Sequence, residues 1–532
     1  MDRPAALQTL RARSEPWDLL VIGGGATGVA TALDAATRGY AVALLEQNDF
    51  GKGTSSRSTK LVHGGVRYLQ QGNVSLVIEA LKERGLLLRN APHLVHDLPF
   101  VVPNYQWWEA PFYGLGLKVY DLLAGRYGFG HSELLSREEL LRRIPTLEQE
   151  GLRGSVLYHD GQFDDSRLLI HLAQTAVEHG ACLVNYAPIV ALVKDEHGYV
   201  CGARFEDLED PAAGPGLLRA RCVINATGPF CDAVRRLDAV DAPPLIAPSQ
   251  GVHIVLDRSF LPGQTAIMVP HTRDGRVMFA IPWHDHVIVG TTDTPLAVAE
   301  LEPSPLPEEV DFILETAGGY LARRPTRGDI LSVFAGIRPL VKAGDAVATA
   351  SLSRDHLIQI SPSGLLTITG GKWTTCRKMA EDCTDHAIVL GRLQERPCRT
   401  HELRLHGYHP QPSQFGDLSV YGSDAPRLQA LRRSQPALGQ PLHPALPICG
   451  AEVVWAAREE MARTVDDVLA RRTRALCLNA KAAVAMAPAV AHLLAAELGR
   501  DTAWERRQVA QFTAIARRYF AVPPPEPYPP SS

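Results

Sequence analysis

The sequence has no Cys-x-x-Cys pair, and its nine cysteines among 532 residues are an odd number. A disulfide framework needs paired thiols and a zinc ribbon needs closely spaced ones, so neither is supported and the thiols read as reduced. A long uncharged apolar run is also missing. A spanning helix needs ~18 such residues. The stretch that comes nearest, residues 19–33, is interrupted by Gly23, Gly24 and Gly25 and bracketed by Asp18 and Asp34. Residues 1–16 mix charges of both signs and lack the apolar segment of a secretion signal. The expected location is therefore the cytoplasm, with room for a surface-lying contact on the inner face of the cell membrane. Excess charge of one sign is absent too. With 54 Lys+Arg against 58 Asp+Glu the formal net charge is −4, which argues against nucleic acid as a partner. It also means that any membrane attachment would rest on apolar burial more than on anionic lipid. His and Cys lack metal-ligand spacing, so no metal is expected. No D-x-[DN]-x-[DN]-G loop occurs, so calcium control is not expected either. An ordinary apolar content of 45% excludes disorder as the main state. At ~150 residues per domain the length allows about two to four domains.

What is present begins at Trp17. The run from Trp17 to Ile22 reads as a buried strand, Gly23-Gly24-Gly25-Ala26-Thr27-Gly28 as a tight turn, and the Ala-rich stretch to Arg38 as a helix ended by Gly39. A second strand covers Tyr40 to Leu45, and Glu46 stands at its end. Gly23, Gly25 and Gly28 hold the three places of a dinucleotide fingerprint in a complete βαβ context. Close backbone approach and a helix N-terminus suit a pyrophosphate, and Glu46 suits a ribose diol while repelling a 2′-phosphate. The chain then leaves this fold and returns to it at Ala226-Thr227-Gly228 and again at 365–372. A dinucleotide domain split by insertions favours FAD over NAD. The expected fold is α/β: an FAD-binding Rossmann-type domain of the glutathione-reductase and amino-acid-oxidase kind. An antiparallel-sheet substrate domain and a C-terminal helical domain are expected beside it.

The expected unit spans 17–390. Its FAD-binding segments are about 17–75, 150–235 and 330–390, and its substrate-domain segments about 76–149 and 236–329. Helices are expected over 76–88 and 168–179 and from Glu308 and Thr374, and β-rich segments at 252–256, 277–281 and 287–290. Composition changes after Gly391, giving a helical domain over 391–521 and a disordered tail over 522–532. The stretch Tyr105, Trp107, Trp108, Phe112, Tyr113, Leu115, Leu117, Val119, Tyr120, Leu122, Leu123 concentrates aromatic and aliphatic side chains. It is expected either to pack inside the protein or to meet a water–lipid interface.

The run 53–69, GTSSRSTKLVHGGVRYL, closely resembles the aerobic FAD-dependent glycerol-3-phosphate dehydrogenase family. So do 225–229, 251–255, 281–283 with 289–294, 336–340, 370–375 and the C-terminal run 464–474, in the family's order. Cys376 departs from the family pattern, which often has Tyr there. The resemblance implies oxidation of sn-glycerol 3-phosphate to dihydroxyacetone phosphate by hydride transfer to flavin N5. A membrane quinone is the expected acceptor and a homodimer is entertained as the assembly. Oxygen as the acceptor, in an oxidase, and a non-catalytic flavin redox sensor stand as alternatives.

That chemistry needs a base, and fixed positive charge for phosphate and developing alkoxide. Arg67 and Arg338 are the candidates for the phosphate, since a guanidinium fork matches phosphate oxygens in pairs. Tyr68 adds a hydroxyl, and Lys372 is a candidate for flavin, substrate or alkoxide charge. His253 and His63 are both candidate bases, and His63 is also a candidate flavin ligand. Ser55, Ser56 and Lys60 are expected to line the FAD pyrophosphate or isoalloxazine region. Gly64, Gly65, Gly370 and Gly371 are expected to join them at the cofactor.

Overall fold

The computed structural model describes residues 1–65, 73–270, 272–273, 275–342 and 356–522. The expected disordered tail lies outside them except for Val522, and so do Arg67 and Tyr68.

The strand Trp17–Ile22 is the centre of the first sheet. It pairs in parallel with Val42–Leu45 on one side and Gly216–Asn225 on the other. Cys182–Val184 and Leu366–Gly370 extend the parallel array outward, and His356–Ile360 closes one edge antiparallel. Such a sheet needs cover on both faces. Leu19, Val21, Val42 and Leu44 are fully buried beneath the helix Ala26–Thr37, each such side chain contributing about 1.5–3 kcal/mol. That helix packs against Asp165–Glu178 and Cys376–Leu390, which is why all but one of its twelve residues are buried.

The second sheet is mostly antiparallel and holds Ile246–Asp257, Met278–Trp283, His286–Gly290, Val95–Asn104, Gly154–Phe163 and Ile330–Val341. Its register places His253 opposite both Phe334 and Gly290, and Arg338 opposite Ser249. Two of these strands correct the expected segments. Gly154–Phe163 and Ile330–Val341 were assigned to the dinucleotide part, yet both lie in the second sheet. Their apolar runs would suit either sheet, and pairing partners 50 to 95 residues away decide which.

After residue 398 the chain is mainly helical, with Gly450–Glu459, Ala480–Leu498 and Thr502–Ala516 around one apolar cluster. A short hairpin, Pro441–His443 with Leu446–Cys449, is the exception. Ala480–Leu498 is long and apolar enough to cross a membrane by length and composition alone. Here Ala483, Met486, Ala487, Val490 and Leu494 are buried in that cluster, as in a core helix. The sequence reading missed the helix Arg3–Ala12, which Asp2 caps through the Ala5 N–H and Arg3 pins to Asp207 at 2.7 Å.

Candidate active site

Two cavities meet at Gly370, Gly371, Lys372 and Trp373. The first, of about 400 Å³, runs along the C-terminal ends of the parallel strands, where doubly wound sheets hold ligands. Gly23, Gly25, Glu46, Ser55, Ala226, Thr227 and Gly228 line it. Gly23 has φ +111°, and a Cβ there would stand 2.8 Å from the Ala226 carbonyl. Gly25 caps the helix Ala26–Thr37 without any side-chain hydrogen bond of its own. Ser55 Oγ accepts the Ala26 N–H at 2.9 Å, and the following first-turn N–H groups face the cavity beside Thr27. Open amides, glycine backbone and a helix N-terminus suit a pyrophosphate. Glu46 accepts from Gly24 N–H at 2.6 Å and Asn48 N–H at 2.9 Å. Burial raises its carboxyl above the ordinary value while those two N–H groups pull it down, and each oxygen keeps a lone pair for a ribose hydroxyl. These residues fit FAD.

Gly28 does a different job from the one expected. It does not line the cavity, and a Cβ there would lie 2.0 Å from the Gly23 carbonyl, so it is a packing glycine. Ser56, Lys60, Gly64 and Gly65 also lie off both cavities. Lys60 is fully buried, with Nζ on Asp165 at 2.7 and 2.8 Å and on the Ser56 carbonyl at 2.8 Å. A buried ammonium must be paired, and Asp165 is its partner in place of a cofactor. Gly64 donates its N–H to Tyr120 Oη at 2.8 Å and faces Leu81, so it allows close packing under the helix Val74–Asn90. Cys376 is buried at the start of its helix, and burial pushes its thiol up to about 12.

The second cavity, of about 200 Å³, brings together His253, His63, Arg338, Thr59 and Lys372. His253 is 2% exposed and stacks on Phe334 at 4.9 Å and 14°. Its Nε2 lies 3.0 Å from Thr59 Oγ1, and its Nδ1 has no hydrogen-bond partner among the described residues. Burial, then the Arg338 and Lys60 cations, holds this imidazole well below its ordinary value, so it is neutral at pH 7. His63 is anchored through its backbone N–H to Thr374 Oγ1 at 3.1 Å. Arg338 donates through Nη2 to Thr291 Oγ1 and the Thr292 carbonyl, both at 2.9 Å. Its Nη1 faces Asp293 at 3.2 Å. A carboxylate and neighbouring oxygens thus hold the guanidinium at the cavity wall.

Thr59, Asp293, Thr374 and Phe334 were not singled out from the sequence. The first three stand inside motif runs, but nothing local marks their side chains as facing a site. Away from the cavities, Glu381, Cys398 and His401 bring possible ligand atoms within metal-binding range. The Arg377 guanidinium sits among them, 2.7 Å from Glu381 and 3.7 Å from Cys398, so a cation already neutralises this cluster.

Comparison with known proteins agrees with this geometry. Residues 18–377 match the FAD dependent oxidoreductase family, and 398–505 match the C-terminal domain of alpha-glycerophosphate oxidase. The chain is 42% identical over 543 residues to a probable mitochondrial glycerol-3-phosphate dehydrogenase of Caenorhabditis elegans, covering 95% of this chain and 75% of that protein. It is 42% identical over 553 residues to the mitochondrial glycerol-3-phosphate dehydrogenase of Homo sapiens, covering 97% and 75%. The crystal structure of the Bacillus halodurans glycerol-3-phosphate dehydrogenase complexed with FAD superposes with a TM-score of 0.79 at 29% identity, covering 98% of both chains.

Proposed function

Because the chain belongs to the FAD-dependent glycerol-3-phosphate dehydrogenase family, we propose that it oxidises sn-glycerol 3-phosphate to dihydroxyacetone phosphate where its two cavities meet. One observation carries this reading: a cationic, histidine-bearing cavity opens onto the dinucleotide cavity through Gly370, Gly371 and Lys372. Bound FAD supplies the hydride acceptor. The protein must then hold the phosphate, take the C2 hydroxyl proton and offset the charge left on that oxygen.

Arg338 is assigned as the phosphate ligand, its guanidinium held at the cavity wall by Thr291, Thr292 and Asp293, contacts that a phosphate would have to share or displace. Arg67 and Tyr68 are assigned to the same phosphate from the motif they stand in. His253, neutral and able to accept, is the base, with the Thr59 hydroxyl 3.0 Å from its Nε2. His63 is assigned to the flavin side of the same cavity. Lys372, lining both cavities, supplies positive charge beside the developing alkoxide. Anaerobic addition of glycerol 3-phosphate to the yellow holoenzyme should bleach the flavin absorbance and glycerol should not; equal bleaching by both would refute the phosphate clamp.

Electrons are proposed to pass to a membrane quinone, with the enzyme lying on the inner face of the cell membrane. Support comes from the helix Glu109–Ala124 and the turn before it. Tyr113, Leu117 and Tyr120 face inward, while Trp107, Leu115 and Leu122 are 75%, 71% and 80% exposed. Trp107→Ser with Trp108→Ser should move protein from the membrane pellet to the supernatant without loss of FAD. A wild type that stays wholly in the supernatant beside intact membranes, and whose reduced flavin reacts with oxygen but not with quinone, would overturn this assignment.

A further inference from the structure

The near-zero net charge conceals one local concentration of cations. Lys82, Arg89, Arg126 and Arg404, all exposed, surround a pocket of about 420 Å³ with Glu402 as the one carboxylate in its lining. None of the four forms an ion pair among the described residues. Their usual fate would be free motion in solvent, but here three are held. The Arg89 and Arg126 guanidiniums each lie 4.9 Å from the centroid of Tyr127, and that of Arg404 lies 4.6 Å from Tyr408. Arg126 also donates to Tyr127 Oη at 2.8 Å, and Arg89 to the Arg126 carbonyl at 3.3 Å. The floor is fixed as well. Asn90 Nδ2 donates to the carbonyls of Thr400 and His401, tying the C-terminal segment to the helix Val74–Asn90. Preorganised guanidiniums around a concave floor favour an oxyanion with several acceptor oxygens, above all a phosphate.

The pocket's position says which phosphate. The helices Val74–Asn90 and Glu109–Ala124 lie side by side and run the same way. Val77, Leu81, Tyr120 and Ala124 form one small buried cluster, and further along Gly85 abuts the Tyr127 ring. On the first helix the exposed side chains pass from Val74 and Ile78 to Lys82 and Arg89. On the second they pass from Phe112 and Leu115, through Lys118, Val119 and Leu122, to Arg126 just beyond its end. Both outer faces change from apolar to basic in the same direction, the order a protein meets on going from acyl chains to headgroups.

We infer that the pocket between Lys82, Arg89, Arg126 and Arg404 binds the phosphate of an anionic phospholipid headgroup, while the apolar ends of the two helices enter the acyl layer. This rests on the membrane reading above and adds a lipid preference to it. It also revises the expectation from net charge: attachment should respond to salt, since the charge that matters is local.

The test is cosedimentation of FAD-loaded enzyme with vesicles of phosphatidylcholine alone and of phosphatidylcholine with about one-third phosphatidylglycerol, at low and raised salt. Phosphatidylglycerol should strengthen binding, and salt should remove that gain. Arg126→Gln with Arg404→Gln should lower partition to the anionic vesicles by about 10–30-fold, leaving binding to neutral vesicles, FAD content and substrate turnover unchanged. Equal binding to both vesicles, or an unaltered double variant, overturns the headgroup site and leaves the membrane reading standing. Failure to bind either vesicle overturns both. Titration with soluble pyrophosphate is the remaining arm. Tight binding of it, lost in the double variant and without any lipid preference, would replace the lipid with a free phosphate ligand and overturn the inference.

Discussion

Arg472 lays its two terminal guanidinium nitrogens on the carboxylate of Asp49, at 2.7 and 2.8 Å, across 423 residues of chain. Arg471 adds its Nε to the same carboxylate and its Nη2 to Asp466 and Asp467. Asp49 stands in the loop that carries Glu46 to Ser55 along the dinucleotide cavity, and Lys52 of that loop is paired with Asp466. The C-terminal domain therefore reaches into the first domain and fastens the segment that faces the cofactor. Burial alone would raise the Asp49 carboxyl; the two guanidiniums outweigh it and hold it ionised.

Asp49→Asn should take from buried Arg472 the carboxylate that both its terminal nitrogens meet, while Arg471 keeps Asp466 and Asp467. Breaking one side of such a pair costs about 3–5 kcal/mol. Thermal melts should show a lower Tm, and fluorescence titration should show weaker FAD binding. A variant that melts normally and keeps its FAD affinity would mean the cluster is incidental.

Gly28→Ala should cost the cofactor altogether, because the new methyl would stand 2.0 Å from the Gly23 carbonyl. The helix Ala26–Thr37 could accommodate it only by moving off the strand. Purified variant should be colourless at the flavin maximum, and a yellow preparation with ordinary FAD stoichiometry would contradict the packing role.

Arg338→Ala should lower kcat/KM for glycerol 3-phosphate by roughly ten- to a hundredfold, the loss of a charge-assisted contact of about 1.5–3 kcal/mol. FAD content should not change. Steady-state kinetics beside the flavin absorbance ratio checks both halves.

His253→Asn should slow substrate-driven flavin reduction by about 10²–10⁴-fold, the range of a lost general base. Thr59→Val should slow it too, and Thr59→Ser should restore it, because only the hydroxyl meets His253 Nε2. Stopped-flow reduction at wild-type speed in His253→Asn would move the base to His63.

His406 carries a pH signature. Burial lowers its proton affinity, but hydrogen bonds to Asp424 and Glu178 raise it to about 9, against an ordinary 6.5. A folded value above the unfolded one stabilises fully below about pH 6.5 and loses that stabilisation as pH climbs through about 9. Melting temperature should therefore fall between those values in the wild type, and less so in His406→Gln.

How much of this could be read from the chain divides along a physical line. Gly23, Gly25, Glu46 and the return at Ala226 announce themselves, because a dinucleotide turn requires those residue types in consecutive order. The same reading misplaced Lys60 and Ser56. Their neighbours Thr54, Ser55, Arg57, Ser58 and Thr59 do face cavities, and only Asp165, 105 residues further on, turns Lys60 inward. Gly64 likewise reads as a backbone opened to a ligand until Tyr120 is seen against it. The strand Ile330–Val341 was assigned to the wrong sheet because its partner, Ile246–Asp257, has no local signal of register. The motif brings His253 forward as a candidate base, whereas its contact with Thr59 exists only in three dimensions. The basic pocket was hidden for a similar reason: Lys82, Arg89, Arg126 and Arg404 come from three separate stretches, and the total charge averages them away.

The order of strands in the first sheet also sets a timetable for synthesis. Its central strand ends at Ile22, yet the strand carrying Gly370 joins the same parallel array. At about 5–20 residues per second the ~350 residues between them take roughly 20–70 s to emerge. For that interval the growing chain holds an apolar half-sheet with open edges, a state exposed to mispairing. The Asp49 carboxylate waits longer still, since Arg471 and Arg472 follow Gly370 by about 100 residues. The nascent polypeptide must therefore be kept from aggregating while those segments are still to come, and a chain truncated before residue 471 would carry every residue lining the dinucleotide cavity but lack the two arginines that fasten its Asp49 loop.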